Sequence, residues 1–440
     1  MIIQRKRYVE KLINKQWNGR IKILTGIRRC GKSTILFDLF LQNLLSQNVN
    51  REDIITLALD DDQNEQFRDP GKLSEYVRAK CSDPRKKYYV FLDEIQFAIS
   101  KKELRNPDQP VRLYSVLNGF LHMKNIDVYV TGSNSKLLSK DVLTEFRGRG
   151  DVIHIFPLSF AEYYAASGRD KMDAYDEFAM YGGMPYLLNL QTDEDKYDYL
   201  DNLFEEIYFK DIEERYAIQL PGVLRDLTSS LCSSIGSLTN ASKIARTVNS
   251  SRSSKTDSET ISQYLSYLMD SFLFSRAERY DVKGKRYFDY PSKFYCTDIG
   301  LRNVRLGMRQ MEPTHIMENI IYCDLIRRGY DVDVGLVEQN TQNAEGRNIR
   351  NQLEVDFVVN RGGSRVYIQS ALNVEAPEKR QQETASLIRI PDSFAKIIVV
   401  RDDIMPWRDD NGILYVGVCQ FLTDESVMLG AESSGLNRRM

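Results

Sequence analysis

At 440 residues the chain is long enough for two to four domains. Hydrophobic residues make up 42% and charged residues 28%, a balance that excludes extended disorder, and 25 glycines with 12 prolines exclude a collagen-like or linker-dominated architecture. Lys and Arg (60) nearly cancel Asp and Glu (62), so the net charge of −2 leaves any nucleic-acid contact to a local patch.

The six cysteines, at 30, 81, 232, 296, 323 and 419, form no CxxC pair, and the three histidines are not grouped with them. This spacing argues against zinc and for reduced thiols. MIIQRKRYVEKL is basic but has no apolar run after it, and no apolar stretch approaches the roughly 20 residues that span a bilayer. The expectation is a cytoplasmic chain with no membrane contact.

Along the first 160 residues, the runs IKILT, IITLAL, YYVFL, DVYVT and VIHIF alternate with amphipathic stretches such as STILFDLFLQNLL and VRLYSVLNGFLHM. Continuous apolar strands separated by helices predict a parallel five-stranded sheet covered on both faces. Residues 159–215 then turn helical, interrupted at Gly182-Gly183-Met184-Pro185. Between Ser229 and Ser258, 11 of 30 residues are serine, which suits a flexible linker, yet apolar positions recur helically through LRDLTSSLCSSI, ASKIARTV and TISQYLSYLMDSFL. Three helices are therefore expected, followed by a hairpin turning at Lys283-Gly284-Lys285. From about 310, a helix and the strands DVDVGLV, LEVDFVV and RVYIQSA predict a further α/β unit.

The strongest chemical signal is LTGIRRCGKST, where Gly26, Gly31, Lys32 and Ser33 spell G-x-x-x-x-G-K-S between a predicted strand and a predicted helix. Backbone N–H groups of such a loop, Arg29, Cys30 and Thr34 included, wrap phosphate oxygens, aided by the helix N-terminus. Lys32 is expected on the β- and γ-phosphates of ATP and Ser33 on Mg²⁺. YYVFLDEIQ ends a strand in Asp93-Glu94, so that Asp93 can hold the Mg²⁺ shell and Glu94 can orient or deprotonate the attacking water. After DVYVT, Asn134 could sense the γ-phosphate or simply cap the helix SKLLS. Arg147 and Arg149 in FRGRG could supply an arginine finger, in cis or from a neighbouring copy, or form a surface pair; Arg149 is the favoured finger. Cys30 could be an activated thiol at the helix N-terminus, but a tolerant loop position is the simpler reading.

Together LTGIRRCGKST, FLDEIQ, TGSNSKLLS, GRG before IHIFPLSFAEYY, and YGGMP resemble the prokaryotic AAA-type ATPases that carry a C-terminal domain of unknown function. YLSYLMDSFLFSRAERYDVKGKRYF, KFYCTDIGLRN and HIMENIIYCDLIRRGYDV resemble that family's later landmarks. The resemblance implies a P-loop core over 1–158, a helical lid over 159–220, a winged helix-turn-helix over 221–300 and a nuclease-like α/β domain of restriction-endonuclease type over 301–440. It also implies ATP binding with hydrolysis.

Within 223–288 the order helix, helix, helix, hairpin is that of a winged helix. On its third helix, Ile261, Leu265, Leu268, Met269 and Phe272 form the expected buried stripe, leaving Ser262, Gln263, Tyr264, Ser266 and Tyr267 for a DNA groove. Lys243, Arg246, Arg252, Lys255, Arg276, Arg279, Lys283, Lys285 and Arg286 surround it, a local basic cluster suited to phosphates. Such modules also serve as protein–protein elements. In nucleases of the PD-(D/E)xK type, a helix Glu and a hairpin Asp precede Glu-x-Lys. Glu318 and Asp356 fit the first two places, but Gln369 and Ala371 stand at the last two, so the chemistry is expected to be lost. Three functional classes remain open: an ATP-driven switch or remodeller, a nucleotide-regulated scaffold of negligible turnover such as a defence or toxin–antitoxin component, and an ATP-dependent nuclease. Protein partners and a homo-oligomer are compatible with the first two.

Overall fold

In the computed structural model, which describes residues 2–100, 103, 111–132, 148–250, 256–284, 286–342 and 348–436, the five apolar runs are five strands: β1 (Ile21–Thr25), β2 (Ile54–Ala58), β3 (Tyr88–Asp93), β4 (Ile126–Gly132) and β5 (Gly150–His154). They pair in parallel in the order β2-β3-β4-β1-β5. Parallel neighbours need a crossover on a face of the sheet, and helices supply it. The helices are α1 (Lys6–Ile13), a π-helical turn (Thr34–Phe40) running into α2 (Leu41–Ser46), α3 (Pro70–Lys80) and α4 (Arg112–Phe120). Leu73, Val77, Leu113, Leu117 and Phe120 pack with Ile55, Val90 and Val128 in one core cluster, while Phe40 meets Phe91 and Tyr129 at 5.7 and 5.0 Å. Because the strands are parallel, the carboxyl ends of β1, β3 and β4 lie side by side. That edge carries the phosphate loop, Asp93 and Thr131.

Contacts divide the chain into two compact units, 1–157 with Asp270–Phe272, and 158–269 with 273–440. The second begins with helices α5 (Phe160–Ser167), α6 (Lys171–Tyr181), α7 (Asp193–Asn202), α8 (Lys210–Tyr216), α9 (Pro221–Ser233), α10 (Ala241–Ser250) and α11 (Ser258–Asp270). The serine-rich stretch is therefore helical over most of its described length. Next come β6 (Phe274–Asp281), β7 (Arg286–Cys296), α12 (Ile299–Arg305), α13 (Pro313–Arg327), β8 (Asp331–Gln342), β9 (Asn348–Arg361) and β10 (Ser364–Ala371). The chain closes with α14 (Pro377–Ile388), β11 (Ala395–Val400), β12 (Trp407–Arg408), β13 (Leu414–Gly417), α15 (Val418–Thr423) and α16 (Ser426–Leu436).

One difference from the expected layout is topological. The hairpin β6–β7 is not a free wing: β6 pairs in parallel with β8, giving one eight-stranded sheet ordered β12-β13-β11-β10-β9-β8-β6-β7. The segments expected as separate at residue 300 thus share a backbone ladder. The glycine break of YGGMP is fastened by Asp298, whose buried carboxylate accepts from the N–H of Gly183 (2.7 Å), Gly300 (3.0 Å) and Leu301 (3.2 Å). Asn303 donates to the last carbonyls of α6, Ala179 and Met180, both at 2.9 Å. Buried backbone groups at a helix end need such partners.

Candidate functional site: a phosphate loop beside two strand-end acids

The loop after β1 is shaped by its glycines. Gly26 has φ +146°, and a Cβ there would lie 2.1 Å from the Ile155 carbonyl oxygen. Only glycine lets the loop pass so close to the exit of β5. Gly31 has φ +98°, Arg29 is left-handed at +62°, and a helix starts at Lys32. Lys32 is buried, and its Nζ donates to the carbonyls of Gly26 (3.1 Å) and Ile27 (2.9 Å). The loop is thus closed around the lysine's own ammonium. Cys30 Sγ donates to Ile155 O at 3.4 Å, and burial pushes this thiol up rather than down, which removes any basis for an activated cysteine.

Asp93, at the end of β3, meets the Ser33 hydroxyl and accepts from the Thr131 hydroxyl. Burial raises its carboxyl above the ordinary range, and Glu94 and Asp60 push the same way, against the Ser33 and Thr131 hydrogen bonds. A buried carboxylate with neighbouring acids is a ready cation ligand. The oxygens of Ser33 and Asp93 are the hard donors that Mg²⁺ takes when phosphates and water complete its shell. Glu94 is left-handed (φ +50°); its N–H donates to Thr131 Oγ1 at 3.0 Å and its carboxylate accepts from the Gln96 amide. Thr131, on neighbouring β4, therefore orients both acids. Sequence reasoning passed over it, although a polar residue closing an apolar strand was a signal.

Two expected residues, Asn134 and Arg147, lie outside the described residues, and Thr34 begins the helical turn behind the loop. Arg149 lies away from the phosphate loop of its own chain. It directly precedes Gly150, which pairs with Ile21 at the start of β1, whereas the phosphate loop follows Thr25 at its end. At about 3.3 Å per residue, the strand puts about 13 Å between these ends. Arg149, exposed at the far edge of the sheet, cannot act on this loop in cis.

In the second unit, the groove-facing surface expected on α11 is smaller than foreseen. Tyr264 is buried, with its hydroxyl accepting from Leu220 N at 3.3 Å, and Tyr267 stacks on Tyr216 at 3.8 Å. Aromatic area there goes into packing, which leaves Ser262 and Gln263 outside. Of the basic cluster, Lys243, Arg246 and Lys283 are exposed, while Arg276 donates to Ser292 Oγ (2.9 Å) and Arg279 to Gln352 (3.1 Å). Arg252, Lys255 and Lys285 fall outside the described residues.

The C-terminal sheet gathers Glu318 from α13, Asp356 from β9 and Gln369 from β10, and adds a cation no motif announced. Lys293 of β7 is buried, with Nζ 2.8 Å from Glu318 and 2.6 Å from Glu354. Burial disfavours its ammonium, but Glu318, Asp356 and Glu354 outweigh that and hold it above its usual range. Burial pushes Glu318 up to about 7 against the pull of Lys293, and the Tyr295 hydroxyl donates to it at 2.7 Å. Asp356 accepts from Ser370 N and Oγ, both at 2.8 Å. Arg380 of α14 lies over the Trp407 ring at 5.3 Å. Among the described residues, no group of three or more His, Cys, Asp or Glu is arranged to hold a metal, and no helix is long and apolar enough to cross a membrane.

Comparison with known proteins matches residues 18–164 to the AAA domain and 172–312 to a domain of unknown function. An uncharacterized protein of Haemophilus influenzae is 31% identical over 404 residues, covering 90% of this chain and 93% of its own. An uncharacterized protein of Methanocaldococcus jannaschii is 27% identical over 406 residues, covering 88% of this chain and 83% of its own. Among solved structures, Cdc6p from Pyrobaculum aerophilum covers 73% of this chain and 95% of its own at 10% identity, with a TM-score of 0.29, too low to bear on function.

Proposed function

The chain belongs to the same family as the Haemophilus influenzae protein and carries an AAA domain, and on that premise we propose that it is an ATP-hydrolysing switch whose second unit engages duplex DNA. One observation carries the enzymatic part: the Ser33 hydroxyl meets the Asp93 carboxylate beside the loop that holds Lys32. In this reading Lys32 leaves the Gly26 and Ile27 carbonyls for the β- and γ-phosphates, and loop N–H groups receive the remaining oxygens. Ser33 and Asp93 would hold Mg²⁺, which when bound draws charge from the phosphate oxygens. Glu94, fixed by Thr131 and Gln96, orients the attacking water and takes its proton. Asn134 is the γ-phosphate sensor of this proposal. The finger is Arg147, or Arg149 reaching in from a second copy of the chain, which makes a homo-oligomer part of the reading.

For the second unit, exposed Lys243 and Arg246 on α10 and exposed Lys283 at the turn between β6 and β7 support phosphate contacts. The nuclease-like cluster is read as catalytically depleted: Gln369 withholds a carboxylate, and the buried Lys293 is engaged by Glu318 and Glu354.

The test is phosphate release from Mg²⁺-ATP. Wild type should turn over, and Glu94→Gln should bind ATP with little change while turnover falls by about 100-fold or more, the scale of a lost general base. Binding without turnover in the wild type would leave a nucleotide-regulated scaffold and sink the enzymatic reading.

A further inference from the structure

The N-terminal segment carries a buried arginine that no nucleotide motif includes. Arg5 is 3% exposed and directly precedes α1. Its Nη1 donates to the Cys30 carbonyl at 3.1 Å, and its Nη2 donates to the Phe156 carbonyl at 2.8 Å and the Pro157 carbonyl at 3.5 Å. Its guanidinium lies over the Tyr8 ring at 4.7 Å, and the Tyr8 hydroxyl accepts from Phe156 N at 3.2 Å. One planar fork therefore spans the phosphate loop and the segment leaving β5.

We propose that Arg5 is a positioning residue for the nucleotide's phosphates, acting through the Cys30–Gly31 peptide; this rests on the nucleotide reading above. In a planar trans peptide, the carbonyl of one residue and the N–H of the next point in opposite directions. By holding the Cys30 carbonyl, Arg5 fixes the Gly31 N–H to point the opposite way, where on this proposal it receives a phosphate oxygen. Gly31 at φ +98° lets the chain resume its helix directly after that peptide. A cation on the carbonyl side also polarises the amide and strengthens its N–H as a donor, the more so away from water. The fork matters as well as the charge, because an ammonium cannot hold Cys30 and Phe156 in the same fixed geometry.

Steady-state ATP hydrolysis tests this with Arg5→Met and Arg5→Lys. The Gly31 amide binds phosphate alike in the ground and transition states, so Arg5→Met should raise KM about tenfold and leave kcat within about threefold. Arg5→Lys should raise KM by a smaller factor. An unchanged KM, or a fall in kcat at constant KM as expected from a smaller folded fraction, overturns the proposal. If Arg5→Met does not fold, Arg5→Lys decides: a raised KM supports the proposal and wild-type KM overturns it. A wild type that neither binds nor hydrolyses ATP removes the nucleotide reading and this inference with it, whereas an active wild type with an insensitive Arg5 removes only the inference.

Discussion

Lys32 and Lys293 are both buried lysines, but one is held by two backbone carbonyls and the other by carboxylates. The first can leave for an arriving phosphate at the cost of neutral hydrogen bonds. The second cannot leave without stranding Glu318 and Glu354. Lys293→Met should therefore destabilise the protein by about 3–5 kcal/mol near pH 9, where Glu318 is ionised, as expected when one partner of a buried charge pair is removed. Glu318, pushed up to about 7 even beside Lys293, would be pushed further up without it and take up its proton between about pH 9 and 7, so the penalty should shrink towards pH 7. Denaturant midpoints at the two pH values check this; an equal loss at both would contradict it. Lys32, Ser33, Asp93 and Glu94 were legible because each lies within a contiguous string whose spacing carries its chemistry. Arg5, Thr131 and Lys293 were not, because what defines them is a partner far along the chain, which only the folded strands bring near.

At the scale of elements, glycine and acid positions explain the break between α6 and the segment after it. A Cβ on Gly300 would lie 1.8 Å from the Tyr181 carbonyl oxygen, so Gly300→Ala must push the start of α12 away from the end of α6 and should cost several kcal/mol. Asp298→Asn is a subtler probe. Both carboxylate oxygens accept N–H groups, so an amide there must aim a donor at a donor, at a cost of about 1–3 kcal/mol at neutral pH. Burial raises the Asp298 carboxyl from 3.8 to about 6, against its N–H donors. The unfolded chain thus loses this proton first, and this group's contribution to stability declines between about pH 4 and 6 by about 1.4 kcal/mol per pH unit. The asparagine variant should flatten that part of the stability profile, and an unaltered slope in denaturant titrations would contradict the assignment. The five parallel strands and the helices 241–250 and 258–270 could be read from apolar period alone. The joining of β6 to β8 could not, since a strand's sequence records which face is buried but not which edge is paired. Tyr264 and Tyr267 were misjudged for a related reason: helical period assigns a face, whereas a tyrosine's ring can be packed while its hydroxyl finds a partner.

For the molecule as a whole, the net charge of −2 makes the proposed DNA binding a local matter. Replacing Lys243, Arg246 and Lys283 together by Ala should weaken duplex binding and reduce the slope of log affinity against log salt by about 0.9 for each phosphate that is no longer neutralised, with ATP affinity unchanged. Undiminished binding in electrophoretic or anisotropy titrations, or no binding by wild type at low salt, removes DNA from the account.

A loop from Gly26 to Ser33 that holds a nucleotide with the help of Asp93 must make thermal unfolding depend on Mg²⁺-ATP. A ligand that binds only the folded state at about 100 times its Kd stabilises it by about 2.7 kcal/mol, a shift of several degrees in the transition containing the first unit. Wild type should show that shift and Lys32→Ala should lose it while unfolding normally without nucleotide. A Lys32→Ala protein that keeps the full ATP-dependent shift would contradict the account, because the nucleotide would then be bound somewhere other than this loop.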